Sequence, residues 1–158
     1  MIVAMSMLLF YVGENRYAVD NQCIVKIIPR VFLKKMPYAP PYLAGLLNWE
    51  GKPIPIVNFC HLIEQREACE AFHTRIILIK APHDALYVGI MGEKVIDIAN
   101  VKASQFSETG FYLSHFPYLS GFYNDQNGII QKLDVAEFFK FLSVDFFPAI
   151  QSGDDGQP

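Results

Sequence analysis

A chain of 158 residues, 52% of them apolar and with a net charge of −3, can fill one ordinary domain or two small units sharing a core. Charged residues make up only 18%, below the usual quarter, so apolar surface is left over for a partner to cover. The mild acidity and a single basic doublet, Lys34-Lys35, argue against a phosphate-binding surface, because nucleic-acid binders cluster Lys and Arg.

The N-terminal run MIVAMSMLLFYV lacks the cationic start and cleavage site of a signal peptide and is too short to span a bilayer. Met7–Val12 and Tyr17–Val19 flank the turn Gly13-Glu14-Asn15 as two strands, and the β-branched run Ile24, Val25, Ile27 and Ile28 continues that sheet. Pro37, Pro40 and Pro41 then stiffen the approach to Leu43. Leu43–Asn48 and Ile54–Phe59 form a hairpin about Trp49-Glu50-Gly51-Lys52. Pro53 and Pro55 remove two N–H groups from one side of its second strand, leaving that edge open or irregular. His61–Glu67 reads as a short helix. Thr74–Lys80, Leu86–Met91 and Val95–Ile98 are strands, and 100–117 is irregular.

Leu119–Tyr123 and Ile129–Leu133 form a hairpin about Asp125-Gln126-Asn127-Gly128. Asp134 is an N-cap with Glu137 three residues on, and Val135, Phe138, Phe139 and Leu142 fall on one helix face. The tail, Gln151–Pro158, has nothing to bury and should be disordered.

This last stretch repeats an earlier one, 76 positions on. Tyr42, Leu43, Gly45, Asn48 and Ile54 return as Tyr118, Leu119, Gly121, Asn124 and Ile130, and Asn58 is answered by Asp134. A repeat of this length means two related structural units. With short strands and turns about every ten residues, it predicts a mainly β chain of two small barrels. Residues 1–150 form the ordered domain, dividing near residues 65–75, with parts of both termini crossing over.

Catalytic patterns are missing. There is no Gly-rich phosphate loop and no G-x-S-x-G elbow. Cys60-His61, the nearest approach to a nucleophile and base, would point to opposite faces of a strand. His61, His73, His83 and His115 lack metal-ligand spacing, and Asp125 and Asp134 lack the ligand rhythm of a calcium loop. No cofactor or metal is expected. Cys23, Cys60 and Cys69 read as reduced thiols. The reading from residues alone is a binding protein. One form of it is a small β-barrel module for a ligand or single-stranded nucleic acid, with Phe10, Tyr11 and Tyr17 as stacking surfaces.

Pro40, Gly45, Asn48 and Gly51, followed by Pro55-Ile56-Val57-Asn58-Phe59, resemble the signature of CheW-like domains. Residues 10–20 resemble that family's first hairpin, Tyr87-Val88-Gly89-Ile90 with Val95 its central strand pair, and Gly121 through Leu142 its closing hairpin and helix. The resemblance spans roughly Met7 to Leu142. It implies two pseudo-repeated five-stranded SH3-like β-barrels with a C-terminal helix. It also implies a cytoplasmic, non-enzymatic adaptor recruited to membrane-associated receptor arrays. The partners would be a methyl-accepting chemotaxis-type receptor and the regulatory domain of a CheA-type histidine kinase, with no nucleic acid and no direct membrane insertion. In the family, the receptor tip lies in an apolar groove between the barrels. The receptor-binding positions would fall at Ile24, Ile27, Leu46, Asn48, Trp49, Glu50 and Gly51.

The sequence departs from the family where coupling is decided. Glu50 stands where N-L-R-G places Arg, Asn58 replaces an Asp, and Lys26 occupies a position often held by Glu. A rim charge sets partner choice, so Glu50 implies a receptor that is basic where others are acidic. The runs Ile28–Leu33 and Thr74–Leu78 resemble adaptors of Wsp-type surface-sensing arrays. On the residues alone, Trp49 is a contact or a cap on the local core, and Ile24 and Ile27 favour the core.

Overall fold

A computed structural model of the chain describes residues 6–66, 74–101, 105–107 and 116–146. Among the described residues ten strands fall into two five-stranded sheets. They are β1 (Ser6–Val12), β2 (Asn15–Asp20), β3 (Ile24–Pro29), β4 (Leu43–Trp49), β5 (Lys52–Asn58), β6 (Arg75–Lys80), β7 (Tyr87–Gly92), β8 (Lys94–Asn100), β9 (Leu119–Asp125) and β10 (Gly128–Leu133). Helices α1 (Phe59–Glu64) and α2 (Val135–Leu142) follow β5 and β10. One sheet runs β8-β1-β2-β10-β9 and the other β3-β6-β7-β5-β4. The chain therefore starts one sheet, completes the other, and returns. Strands β5 and β6 lie in the same sheet, and β3 belongs with β6 rather than continuing β1 and β2. The reason is local: Asp20 turns the chain out of β2 by accepting a hydrogen bond from the Gln22 N–H at 2.9 Å, starting a short 3-10 turn over Asn21–Cys23.

Each sheet closes on itself in the same way. The segment after edge strand β3 bridges back to β4, with Lys34 and Leu46 exchanging backbone bonds at 2.8 and 2.9 Å. The segment after β8 does the same to β9 through Ser107 and Phe122. Glycine makes this approach possible. A Cβ on Gly45 would lie 2.8 Å from the Lys34 carbonyl oxygen, and one on Gly121 3.2 Å from the Phe106 Cβ.

The repeat is thus a repeat of hydrogen bonds as well as letters. Asn58 N–H donates to the Tyr42 carbonyl at 2.8 Å, and Asp134 N–H to that of Tyr118 at 2.7 Å. Asn58 and Asp134 then cap the helices, their side chains accepting from the N–H groups of His61 at 3.2 Å and Glu137 at 3.0 Å. The Asn58 cap starts α1 at Phe59, two residues before the expected helix. Removing the second cap, Asp134→Ala, should lower stability by about 1 kcal/mol in urea unfolding, with Asp134→Asn close to wild type.

Strand alternation fills three cores. Leu8, Phe10 and Val12 of β1 face a core shared by both barrels, joining Val57, Phe59, Ile77, Ile79 and the α2 residues Val135, Phe138, Phe139 and Leu142. Met7 points the other way, into the first barrel with Ala18, Phe106 and Ile130. On β6, Ile77 and Ile79 take the shared core while Ile76 and Leu78 fill the second barrel. Both faces of β6 are buried, so Thr74–Lys80 shows no polar alternation.

Pro53 and Pro55 lie in an interior strand, between β4 and β7. They pair opposite Asn48 and Leu46 across a two-residue hairpin, at positions whose N–H would point away from β4. On that side the parallel ladder to β7 begins only at Ile56, so the prolines cost no bond.

Candidate functional site

Strand β3 is an edge strand with a bulge. Ile24 pairs with Ile79 and Lys26 with Leu78, so Val25 is the extra residue. The bulge breaks the inward–outward alternation, leaving Val25, Lys26 and Ile27 all exposed before Ile28 turns inward. Ile24 remains half-buried against the shared core. Ile27, for which the residues alone favour the core, is 38% exposed.

The β4–β5 hairpin brings the other candidate residues to the same edge. Glu50 and Gly51 form its two-residue turn with φ of 52° and 85°, the left-handed pair that a type I′ turn requires. Asn48 holds the turn, its side-chain oxygen accepting from the Gly51 N–H at 3.0 Å. Trp49 is half-buried on the second barrel's core, and the Lys26 Nζ lies 5.5 Å from its ring centroid. Trp49 is therefore both cap and surface, and its cation–π contact joins β3 to the hairpin. Leu46 is half-buried under the Lys34 bridge; Glu50 is exposed.

A separate groove of about 820 Å³ lies between the two helices, lined by Tyr42, His61, Leu62, Gln65, Tyr118 and Phe141, among others. It sits between repeat-related tyrosines, and none of Ile24, Ile27 and Leu46–Gly51 lines it. Tyr118 is wholly buried, and burial pushes its phenol well above the ordinary range.

Other candidates resolve into structure. Cys60 lies on α1 rather than on a strand and is fully buried; burial pushes its thiol up to about 11, so it stays protonated at neutral pH. Phe10 and Tyr17 pack against Phe59 with ring centroids 5.3 Å away, and neither is free to stack on a base. Tyr11 lies under Lys94, 5.6 Å from its ring. His73, His115, Cys69 and the tail 151–158 lie outside the described residues. Among the described residues no group of three His, Cys, Asp or Glu could hold a metal ion, and no helix is long and apolar enough to cross a membrane.

Sequence reading missed Val25, and with it Val31, Phe32, Met36 and Tyr38 on the β3–β4 loop, all exposed. The density of prolines around the last four was the available signal, since a stiff loop cannot tuck apolar side chains inward.

The outward features of this twin-barrel β module are surfaces: an apolar strand edge, an aromatic hairpin tip and a groove. The model of the CheW-like domain matches residues 6–142, and the chain belongs to that family. The chemotaxis protein CheW of Rhizobium meliloti (strain 1021) is 28% identical over 107 residues, 68% of this chain and 68% of that protein. The chemotaxis protein CheW of Treponema pallidum (strain Nichols) is 32% identical over 59 residues, 37% of this chain and 35% of that one. The crystal structure of scaffolding protein TtCheW from Thermoanaerobacter tengcongensis shares the fold, with a TM-score of 0.74 at 16% identity over 84% of this chain and 86% of that one.

Proposed function

We propose that this protein is a non-enzymatic adaptor that couples the cytoplasmic tips of chemoreceptors to a CheA-type histidine kinase. The observation that carries the reading is the meeting of β3 and the β4–β5 hairpin in one exposed surface within a CheW-like fold, with Val25, Ile27 and the Lys26–Trp49 pair facing outward. An apolar strip with a charged rim suits an amphipathic receptor helix, whose anchors recur at i, i+3 and i+4. The mechanism is geometric: receptor and kinase are held relative to each other, and no bond is made or broken on the adaptor. The names of the relatives, two chemotaxis proteins and a scaffolding protein, support the same class.

Co-sedimentation with receptor cytoplasmic fragments and kinase from the same organism tests this. Co-pelleting that depends on the adaptor, with changed kinase autophosphorylation, is expected; a folded protein that binds neither partner rejects it. Within the complex, Glu50→Arg should shift receptor affinity by about tenfold, most at low salt, because a rim charge acts through encounter and partner choice. Glu50 is exposed, so thermal unfolding should not move. Unchanged receptor affinity would remove the hairpin tip from the interface.

A further inference from the structure

Between Asp20 and Glu50 the chain carries four cations, Lys26, Arg30, Lys34 and Lys35, and no carboxylate, although the whole protein has a net charge of −3. The β3–β4 loop within this stretch also leaves four large apolar side chains in water. Val31 is 40% exposed, Met36 42%, Phe32 87%, and Tyr38 is fully exposed. One such residue alone is ordinary, whereas four on one short loop mark a surface that a partner covers. Tyr38 adds strain to exposure. Its φ of 59° is a left-handed conformation costly for a bulky residue, and its ring buries nothing in return. The loop is held in place by its prolines and by the paired backbone bonds of Lys34 to Leu46. Beneath it lies a cavity of about 540 Å³, lined by Arg30, Val31, Phe32 and Lys35 from the loop and by Leu43 and Met91 from the barrel, among others.

We infer that this loop and its cavity dock an acidic peptide segment of a partner protein. Carboxylates of the segment enter the cavity, whose lining is mainly polar and includes Arg30 and Lys35, while its apolar side chains pack on the exposed Phe32 ring beside it. Charge complementarity selects an acidic occupant. The cavity selects a peptide, because a flat lipid surface would leave the space unfilled. A rigid, preformed loop binds such a segment without an ordering cost of its own. The inference does not depend on the coupling role, since it concerns the loop rather than the hairpin tip.

The probe is a fluorescein-labelled peptide of alternating glutamate with leucine and phenylalanine, compared with the same peptide carrying lysine for glutamate. Anisotropy titrations use the full chain. The acidic peptide should bind, and the double variant Arg30→Glu/Lys35→Glu should weaken it by at least about tenfold, an effect reduced by salt. Phe32→Ser should weaken it similarly at unchanged melting temperature, which separates docking from folding. Equal binding of the two peptides, persistence in both variants, or no binding of either would overturn the inference. Capture by phosphatidylglycerol vesicles but not by the acidic peptide would overturn it in favour of a membrane surface.

Discussion

Replacing Phe59 with alanine should lower stability by about 4 kcal/mol, near the top of the range for a buried aromatic truncation. Phe59 is wholly buried at the first position of α1. Its ring meets Phe10 and Tyr17 edge-on at 5.3 Å and Phe138 at 6.2 Å. These three partners come from β1, β2 and α2, which flank or build the other sheet, so one side chain links both barrels. Partners held by the opposite sheet and its helix, across from the sheet that carries Phe59, cannot readily close on the cavity left behind, which places the cost toward the upper end for an aromatic truncation. For a chain of this size the melting temperature should fall by roughly 8–16 °C. The control is Phe32→Ala at an 87% exposed ring, which should move stability by no more than about 0.5 kcal/mol. A loss below about 1.5 kcal/mol for Phe59→Ala would mean that the barrels do not share a core.

Phe59 also shows what the sequence made legible. The repeat that aligns Tyr42–Phe59 with Tyr118–Val135 places the first residue of α1 against the first residue of α2, and the structure repeats the caps and backbone bonds that precede them. Local signals of this kind are read from the chain because their physics is local. A cap needs its residue and the next three, and a hairpin needs its turn and flanking strands. Sheet membership is different. Nothing in Ile24–Pro29 announces pairing with Arg75–Lys80 some fifty residues on, because every strand with two buried faces offers a similar apolar run.

The candidate surface was legible as a hairpin tip and only partly as an edge. Asn48, Glu50 and Gly51 carry turn chemistry in their own residue types, and the structure uses them so. Ile27 carries no such mark. A β-branched residue in a strand defaults to the core, and the bulge at Val25 that turns it outward depends on a partner strand far along the chain. Charge was harder still. Glu50 alone points to a basic partner, whereas the structure sets Lys26 beside Trp49 on the same edge, so its rim carries both signs.

The second large effect belongs to a pair that no local pattern shows. Arg16 on β2 is 7% exposed, and its guanidinium makes two bonds to the Asp125 carboxylate at 2.5 and 2.9 Å and a third to the Gly128 carbonyl at 2.8 Å. The parallel ladder joining β2 to β10 covers only three residues, so this fork extends the grip of β2 onto the β9–β10 turn. Arg16→Ala should therefore cost about 2 kcal/mol. The figure stays below that of a fully buried pair because the Asp125 side chain is 29% exposed and water can reach it once the arginine is gone. The hydrogen bond from Arg16 holds the Asp125 carboxyl down at about 2, against an ordinary value of 3.8. A depressed folded value means that the pair contributes fully above the ordinary carboxylate value and loses its contribution as pH falls through that interval. Arg16 remains charged throughout. Urea unfolding followed from about pH 5 to about pH 2 should show wild type losing more stability than Asp125→Asn or Arg16→Ala, the curves converging at the acid end. Parallel curves would show that the fork is solvated in solution. The β9–β10 hairpin would then owe its position to Ile130 and the first barrel's core alone.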